Sequence, residues 1–134
     1  MLDERDVTTV VDMEAGLEHL SRGTARHVDS LLVTLEPYFK SLETARRTVE
    51  MAREFEIGRI AGVANKLRDS DDAAAVRDFA AAHDIPLAGE VPFDDELRRA
   101  DLAGLTPLDV RDSPAVAAID RLASVMERKA GLKS

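Results

Sequence analysis

The sequence predicts an α/β protein: a partial doubly wound, mostly parallel sheet of four strands, flanked by helices. Short apolar runs bounded by turn residues alternate with longer stretches of helical periodicity. The chain shows no internal repeat and no long linker, and its 134 residues suffice for one domain, 1–134. Because strand–helix–strand crossovers bring successive strands into one parallel sheet, the helices are expected to lie on its faces.

The four predicted strands are apolar runs of the kind found in buried sheets. Pro37 ends the second run and Pro92 ends the fourth, since proline cannot donate to a strand ladder. The first run has no upstream partner, so we expect an open sheet edge and a dimer or partner-dependent solubility. The predicted strands cover 7–11, Ser30–Leu35, 59–64 and 85–91.

Helices are predicted after each of the last three strands. Ser41 is expected to cap the first helix and Asp94 a short helix that runs to Ala100. Ser113-Pro114 is a strong helix start, a capping residue followed by proline at the first helical position. The apolar stripes expected to face the sheet are Leu42, Ala45, Val49 and Ala52, then Ala73, Val76 and Ala80, and finally Val116, Ile119, Leu122, Ala123 and Met126.

Composition limits the possible functions. The net charge of −8 argues against nonspecific binding to nucleic acid, which depends on Lys and Arg. The chain has no cysteine, so disulfides and thiolate metal sites are excluded. Residues 1–6 are charged and contain no apolar core region of a signal peptide, and no membrane-spanning run occurs. A cytoplasmic protein without nucleic-acid or membrane partners is therefore expected.

An acidic segment follows the first apolar run. Asp12 ends the run and Gly16 follows four residues later. In open α/β sheets ligands bind beyond the carboxyl ends of the strands, where Asp12 could hold a hard cation and its waters. Gly16 would let the backbone approach a phosphate closely, because no Cβ is in the way. An aspartate after a strand is also a common turn residue or helix cap, so the pattern alone leaves both interpretations open.

Several motifs in fixed order extend this segment. Together they resemble the C-terminal half of the MinD/ParA class of P-loop ATPases, most of all the branch that matures carbon monoxide dehydrogenase by helping to insert nickel. That branch has threonine where this chain has Met13. The motifs are Asp12-x-Glu14-Ala15-Gly16-x-Glu18-His19, Leu31-Leu32-Val33 to Glu36-Pro37, Ser41-Leu42-Glu43-Thr44-Ala45, Val63-Ala64-Asn65-Lys66 and Gly89-Glu90-Val91-Pro92-Phe93-Asp94.

The resemblance implies ATP or ADP and Mg²⁺ as ligands and assigns roles to six residues. Asp12 would hold the magnesium ion through water, and Gly16 would contact the γ-phosphate. Asn65 would touch adenine. The backbone of Pro92, Phe93 and Asp94 would line the base pocket.

Two further features of the sequence concern the nucleotide base and the metal. A guanine-reading N-K-x-D motif is absent because Arg68 stands at its last position, which favours adenine. Glu14, Glu18 and His19 belong to the branch signature and have no assigned physical role. His19 could serve as a nickel ligand, since nickel accepts imidazole.

The phosphate-binding part of the family is missing from this sequence. No GxxxxGK[ST] motif occurs, and the family's paired cysteines are absent. We therefore expect a truncated or split ATPase, inactive alone, that works with a separate N-terminal half or as a homodimer and serves a nickel metalloenzyme. A non-catalytic interaction module and a gene fragment without independent function are the alternatives. A phosphoacceptor receiver domain is disfavoured, because it needs aspartate where Asn65 ends the third strand.

Overall fold

The computed structural model describes residues 8–13 and 21–129, and they form helices around a parallel sheet. The predicted α/β class is confirmed. The strands are β1 (Ser30–Leu35), β2 (Arg59–Leu67) and β3 (Leu87–Pro92). The helices are α1 (Arg22–Ala25), α2 (Phe39–Glu54), α3 (Ser70–Ala82), α4 (Asp95–Leu102), a 3₁₀ helix (Pro107–Val110) and α5 (Pro114–Lys129).

The sheet of the described residues has three strands, so the prediction of four is wrong. Of the predicted first strand 7–11, residues 8–11 have no regular secondary structure, and residue 7 lies outside the described ranges. Val10 is 87% exposed and Val11 65%. A strand is stabilised by a neighbour that satisfies its N–H and C=O groups, and no described strand lies beside this segment. Its apolar sequence is therefore not sufficient to place it in the sheet.

The three strands lie in the order β1-β2-β3 and are all parallel. Leu31 of β1 lies opposite Ile60 of β2, and Leu35 lies opposite Ala64. Since side chains alternate between the two faces of a strand, Leu31 and Leu35 point to one face and Leu32 to the other. The two faces are covered by different helices.

Helices α2 and α3 pack together on one face, here called the α2/α3 face. Leu35 and Val49, from β1 and α2, are buried there with Val76 of α3. On the other face, here called the α5 face, Leu122 of α5 packs with Val63 and neighbouring residues of β3. The apolar stripes predicted for the first two helices are thus confirmed as core-facing: Ala45, Val49, Ala52, Val76 and Ala80 are buried, and Leu42 and Ala73 pack against the core.

The apolar stripe predicted for α5 is only partly confirmed as buried. Val116 and Leu122 are buried as expected, but Ile119 is 43% exposed and Ala123 is exposed. The helix packs against β3 and the adjacent part of β2, so it buries a narrower face than the sequence periodicity suggests. Ala115 and Ala118 are buried in the same cluster as Val63 and Val91.

Helices α2, α3 and α4 end in the same motif. In each, a residue with positive φ follows the last turn: Glu56 (61°), Asp84 (54°) and Gly104 (77°). The next N–H donates back into the helix, as from Ile57 to the carbonyl of Ala52 at 3.0 Å. This is the Schellman arrangement, which satisfies carbonyls that a helix end leaves free. The motif at the end of α3 also explains why β3 begins at Leu87 and not at residue 85 as predicted. The N–H of Ile85 donates to the carbonyl of Ala80, as that of Ile57 does to Ala52, so Ile85 still belongs to the helix end.

The helix starts are partly as predicted. Asp94 caps α4 and accepts from the N–H of Glu96 at 2.9 Å, which confirms its capping role. Ser41 does not cap α2, because the helix begins at Phe39 with Tyr38 in the capping position. The Ser41 hydroxyl instead accepts from the N–H of Glu36 at 3.0 Å and so ties the end of β1 to the helix. None of the helices in the described ranges is long and apolar enough to cross a membrane.

Candidate site at the carboxyl edge of the sheet

A β-bulge lies near the carboxyl end of β2. Ala64 pairs with Glu90 and Leu67 pairs with Pro92. Between these two pairs the chain advances three residues along β2 but only two along β3. The extra residue falls at Asn65-Lys66, and Lys66 has φ of +57°, in the left-handed region. A long side chain in that region is unfavourable and is retained where the surrounding structure fixes it. The bulge changes the direction in which β2 presents its last side chains.

A shallow groove of about 540 Å³ opens beyond the carboxyl ends of the strands. The N–H of Phe93 donates to the carbonyl of Leu67 at 2.8 Å, which holds the ends of β3 and β2 together on its floor. Parallel strands present their carboxyl ends at the same edge, and this is where open α/β sheets bind ligands. The groove is lined by Glu36, Pro37, Tyr38, Lys66, Arg68, Asp72 and Phe93.

Arg68 and Phe93 stack in this groove. The guanidinium carbon of Arg68 lies 4.6 Å from the centroid of the Phe93 ring, within cation–π range. The backbone N–H of Arg68 donates to Oδ2 of Asp72 at 2.9 Å, which fixes the chain where β2 leaves the sheet. The Arg68 guanidinium brings a positive charge and N–H donors, but no acceptor, to this part of the groove.

The opposite wall of the groove is a network around Glu36. Its Oε1 lies 3.0 Å from Nζ of Lys66, and its Oε2 accepts from the hydroxyl of Tyr38 at 2.8 Å. Burial raises the pKa of Glu36, but the hydrogen bonds from Lys66 and Tyr38 and the charge of Lys66 outweigh it and hold the pKa below its ordinary value. The hydrogen bond to Glu36 raises the pKa of Tyr38.

Replacing Lys66 by methionine is expected to raise the pKa of Glu36, because two of the three effects that lower it come from Lys66. In the wild type the lowered pKa means that Glu36 stabilises the fold fully above pH 4.5, and that this contribution is lost as the pH falls through the folded-state pKa. Carboxyl resonances followed by NMR from pH 2 to 7 measure the midpoint. Glu90, whose pKa is lowered first by its hydrogen bond with Arg77, should not move and serves as the control. An unchanged Glu36 midpoint in Lys66→Met contradicts the network.

The structure brings only some of the site residues implied by the resemblance to the groove. Phe93 lies in the groove, and Pro92 ends β3 directly before it. Asn65 is half-buried in the bulge and does not line the groove. Asp12 is exposed in the segment 8–13, and Gly16, with Glu14, Glu18 and His19, lies outside the described residues.

The carboxylate of Asp94 holds two helices rather than facing the groove. Oδ1 accepts from the N–H of Glu96 in α4, and Oδ2 accepts from the hydroxyl of Ser113 and from the N–H of Ala115 at the start of α5. Ser113 is completely buried. Both side-chain oxygens of Asp94 are thus engaged, and the predicted role of its backbone at a base pocket stays a prediction.

The described side chains do not assemble a magnesium site. No group of three or more His, Asp or Glu able to hold a metal ion occurs within residues 8–13 and 21–129. Asp12 alone supplies one carboxylate, whereas Mg²⁺ prefers six oxygen ligands. No chemical step can therefore be derived through a metal from these residues.

Two residues of the groove network are marked in the sequence by their position after a strand. Glu36 and Tyr38 flank Pro37 directly after a strand, so two polar side chains stand at the functional edge of the sheet. Their contact with Lys66 could not be anticipated, because it depends on the bulge. Arg68 entered the sequence argument only through its position in the N-K-x-D comparison. Its contact with Phe93 joins the residues that directly follow β2 and β3.

Comparison with known proteins identifies the family, although no protein-family model matches. The chain is 38% identical over 128 residues to the carbon monoxide dehydrogenase accessory protein of Rhodospirillum rubrum, covering 96% of this chain and 48% of that protein. It is 33% identical over 119 residues to an uncharacterized ATP-binding protein of Methanocaldococcus jannaschii, covering 89% and 46%. The chain belongs to the MinD/ParA-type P-loop ATPases. The predicted resemblance is thus confirmed.

The fold of this MinD/ParA-type chain agrees with the assignment. The MinD cell division protein of Aquifex aeolicus superposes with a TM-score of 0.63 at 20% identity, and the match covers 79% of this chain and 47% of that one. The chain spans about half the length of the curated relatives that it matches.

Proposed function

We propose that this chain is the base-binding half of a MinD/ParA-type ATPase, and that it holds the adenine of ATP or ADP in the groove. The observation that supports this most directly is the stack of Arg68 on Phe93 at the carboxyl edge. A stacked planar pair offers a base a flat surface, and base–aromatic stacking contributes roughly 1–3 kcal/mol. A relative named as an ATP-binding protein matches 89% of the chain, which agrees with a nucleotide ligand.

The groove favours adenine over guanine. On its Watson–Crick edge guanine presents N–H donors, which require an acceptor such as a carboxylate. Arg68 stands at the position of that carboxylate in guanine-reading motifs and has no acceptor. Asp72 accepts from the backbone of Arg68, so one of its carboxylate oxygens is already engaged.

We further propose that the chain alone does not hydrolyse ATP. Phosphoryl transfer depends almost wholly on positioning and on neutralising the phosphates. The sequence has no GxxxxGK[ST] motif, which is the phosphate-binding loop that does this in P-loop ATPases. Lys66 in the groove is paired with Glu36. In this proposal a second polypeptide segment completes the site, and the complete ATPase serves a nickel metalloenzyme. The name of the Rhodospirillum relative, a carbon monoxide dehydrogenase accessory protein, supports a client enzyme of that kind.

Calorimetry with ADP, ATP and GTP, with and without Mg²⁺, tests the proposal. We expect ADP and ATP to bind more tightly than GTP, and Phe93→Ala to weaken binding about tenfold or more through lost stacking. Arg68→Asp, which replaces the cation by an acceptor, should weaken the preference for ADP and ATP over GTP. Arg47→Asp, at an exposed arginine of α2, is its matched control and should leave binding unchanged. Asp12→Ala tests whether Asp12 contributes when magnesium is present.

Two results would contradict the proposed function. The absence of binding by every nucleotide at millimolar concentration would exclude a base site in the groove. Phosphate release above background by the chain alone would exclude the claim that a second segment is required. A non-catalytic interaction module is the second candidate, and it is favoured by the open edge of β1, which lacks a strand partner among the described residues.

A further inference from the structure

The Glu36 carboxylate is held in place at the groove and has acceptor capacity left. The N–H of Glu36 donates to the hydroxyl of Ser41 at 3.0 Å, and its side chain is 18% exposed. Within the described residues, Oε1 contacts Nζ of Lys66 and Oε2 accepts from the hydroxyl of Tyr38. A carboxylate has about four acceptor positions, so each oxygen can accept one more hydrogen bond. A ligand in the groove can supply that bond, because Glu36 lines it.

The charge of Glu36 limits what it can bind. Although burial raises its pKa, the hydrogen bonds from Lys66 and Tyr38 and the charge of Lys66 hold the pKa below its ordinary value, so the group is ionised at neutral pH. An ionised carboxylate only accepts hydrogen bonds, and it repels phosphate groups. The neutral hydroxyls of a ribose are donors that it can accept. Of the parts of a nucleotide, the sugar is therefore better suited to Glu36 than the phosphates are.

The order of the strands separates the two ends of the groove. Glu36 directly follows β1, Phe93 directly follows β3, and β2 lies between these strands. Neighbouring strands lie about 4.8 Å apart, so the two chain positions are roughly 10 Å from each other across the edge of the sheet. This is about the length of a nucleoside from its base to its ribose hydroxyls. A base held at Phe93 can therefore place its ribose at Glu36.

Asp72 is the second carboxylate that lines the groove, and it lies on the side of the base. Its Oδ2 accepts from the N–H of Arg68 at 2.9 Å, beside the stack on Phe93. The side chains of Arg68 and Lys66 are donors, so neither can accept from a hydroxyl. Glu36 is thus the charged acceptor at the end of the groove away from Phe93.

We propose that Glu36 accepts hydrogen bonds from the ribose hydroxyls of the bound nucleotide and makes the groove selective for ribonucleotides over deoxyribonucleotides. The inference rests on the proposed function, since it takes the base to stack at Phe93. Lys66 and Tyr38 act as positioning residues, because each holds one oxygen of the carboxylate. The network at the ends of β1 and β2 then has a binding role in addition to its structural one.

Calorimetry with ADP, 2′-deoxy-ADP and 3′-deoxy-ADP tests the proposal on the unchanged chain. The three ligands share the same base and phosphates, so stacking and charge are constant. We expect at least one deoxy analogue to bind about tenfold more weakly than ADP, because a hydrogen bond to a charged acceptor is lost. Glu36→Gln should weaken ADP binding about tenfold and bring the affinities for ADP and for that analogue to within about threefold of each other.

Two further variants separate a contact with the sugar from a structural role of Glu36. Glu90→Gln is the matched control, because Glu90 is also paired with a cation, Arg77, but does not line the groove. It should leave the ADP affinity and the discrimination unchanged. Tyr38→Phe breaks the network but keeps the acceptor. The discrimination should persist in Tyr38→Phe, whereas a merely structural role of Glu36 predicts equal effects of Tyr38→Phe and Glu36→Gln.

The failures of the two proposals can be told apart. ADP binding with equal affinity for both deoxy analogues overturns the role of Glu36 and leaves the proposed function standing. Discrimination that persists in Glu36→Gln also overturns it, because another group would then read the hydroxyls. If neither ADP nor an analogue binds at millimolar concentration, the proposed function fails and the role of Glu36 fails with it.

Discussion

Asp94→Ala is expected to lower the free energy of unfolding by about 2–4 kcal/mol. Loss of an N-cap costs roughly 0.5–2 kcal/mol, and a buried hydroxyl left without its acceptor costs roughly 1–3 kcal/mol more. Both apply here, because Asp94 caps α4 and also accepts from buried Ser113 and from the N–H of Ala115. Urea unfolding followed by circular dichroism measures the change.

The matched control is Asp69→Ala. Asp69 caps only α3, through the N–H of Asp72 at 2.8 Å, so its loss should cost about 1 kcal/mol. The loss of unfolding free energy in Asp94→Asn should lie between those of Asp69→Ala and Asp94→Ala, since an amide oxygen can still cap α4. Equal effects of Asp94→Ala and Asp69→Ala would show that the link to α5 contributes nothing.

The contribution of Asp94 should also depend on pH. The hydrogen bond from Ser113 holds its pKa below the ordinary value of 3.8, helped by backbone N–H groups and opposed by burial. A lowered folded-state pKa stabilises the fold above that ordinary value, and the stabilisation disappears as the pH falls through the folded-state pKa. The difference in stability between wild type and Asp94→Ala should accordingly shrink on acidification below pH 4.

Gly62→Ala is expected to cost about 1–3 kcal/mol through overpacking. A Cβ at this position would lie 2.7 Å from Cδ1 of Leu35, 3.1 Å from Cγ2 of Ile85 and 3.2 Å from Cδ2 of Leu87. Leu35 is completely buried and Ile85 nearly so, so neither can move aside freely. The same urea series measures the change.

Gly58→Ala is the control for this substitution. A Cβ there meets no atom within 4 Å, so its effect should stay within about 0.5 kcal/mol. If the clash with Leu35 is the cause, Leu35→Ala should relieve it, and the double variant should be less destabilised than the sum of the two single variants. Additive effects would point to another origin, such as a change in the unfolded chain.

The sequence was sufficient for the elements that carry strong local signals. Ser30–Leu35 was recognised as an unbroken apolar run, and Ser113-Pro114 marked the start of α5. The segment 8–11 carries a comparable apolar run, yet it is not a strand, because pairing depends on a neighbour that local sequence does not encode. For the same reason the exposure of Ile119 was missed, since it depends on where α5 lies across the sheet.

The candidate site was harder to predict than the fold. Phe93 was expected at the base pocket from the motif in which it occurs, and it lines the groove. The contact between Lys66 and Glu36 joins residues thirty positions apart through a bulge, which no local pattern reveals. The capping role of Asp94 was visible in the sequence, but its second role, at the start of α5, depends on how the helices pack.

The bulge in β2 also governs side-chain phase along that strand. Ala64 and Leu67 both belong to the core on the α2/α3 face, although residues three apart in a regular strand point to opposite faces. The extra residue of the bulge brings Leu67 back to the same face as Ala64, so Leu67 is buried in that core. Arg68 follows directly and lies at the groove against Phe93. Deleting either Asn65 or Lys66 would leave Ala64 and Leu67 two positions apart, the spacing of a regular strand, so Leu67 would stay on the core face. What such a deletion would remove is the bulge itself, and with it the backbone geometry that brings Lys66 to Glu36.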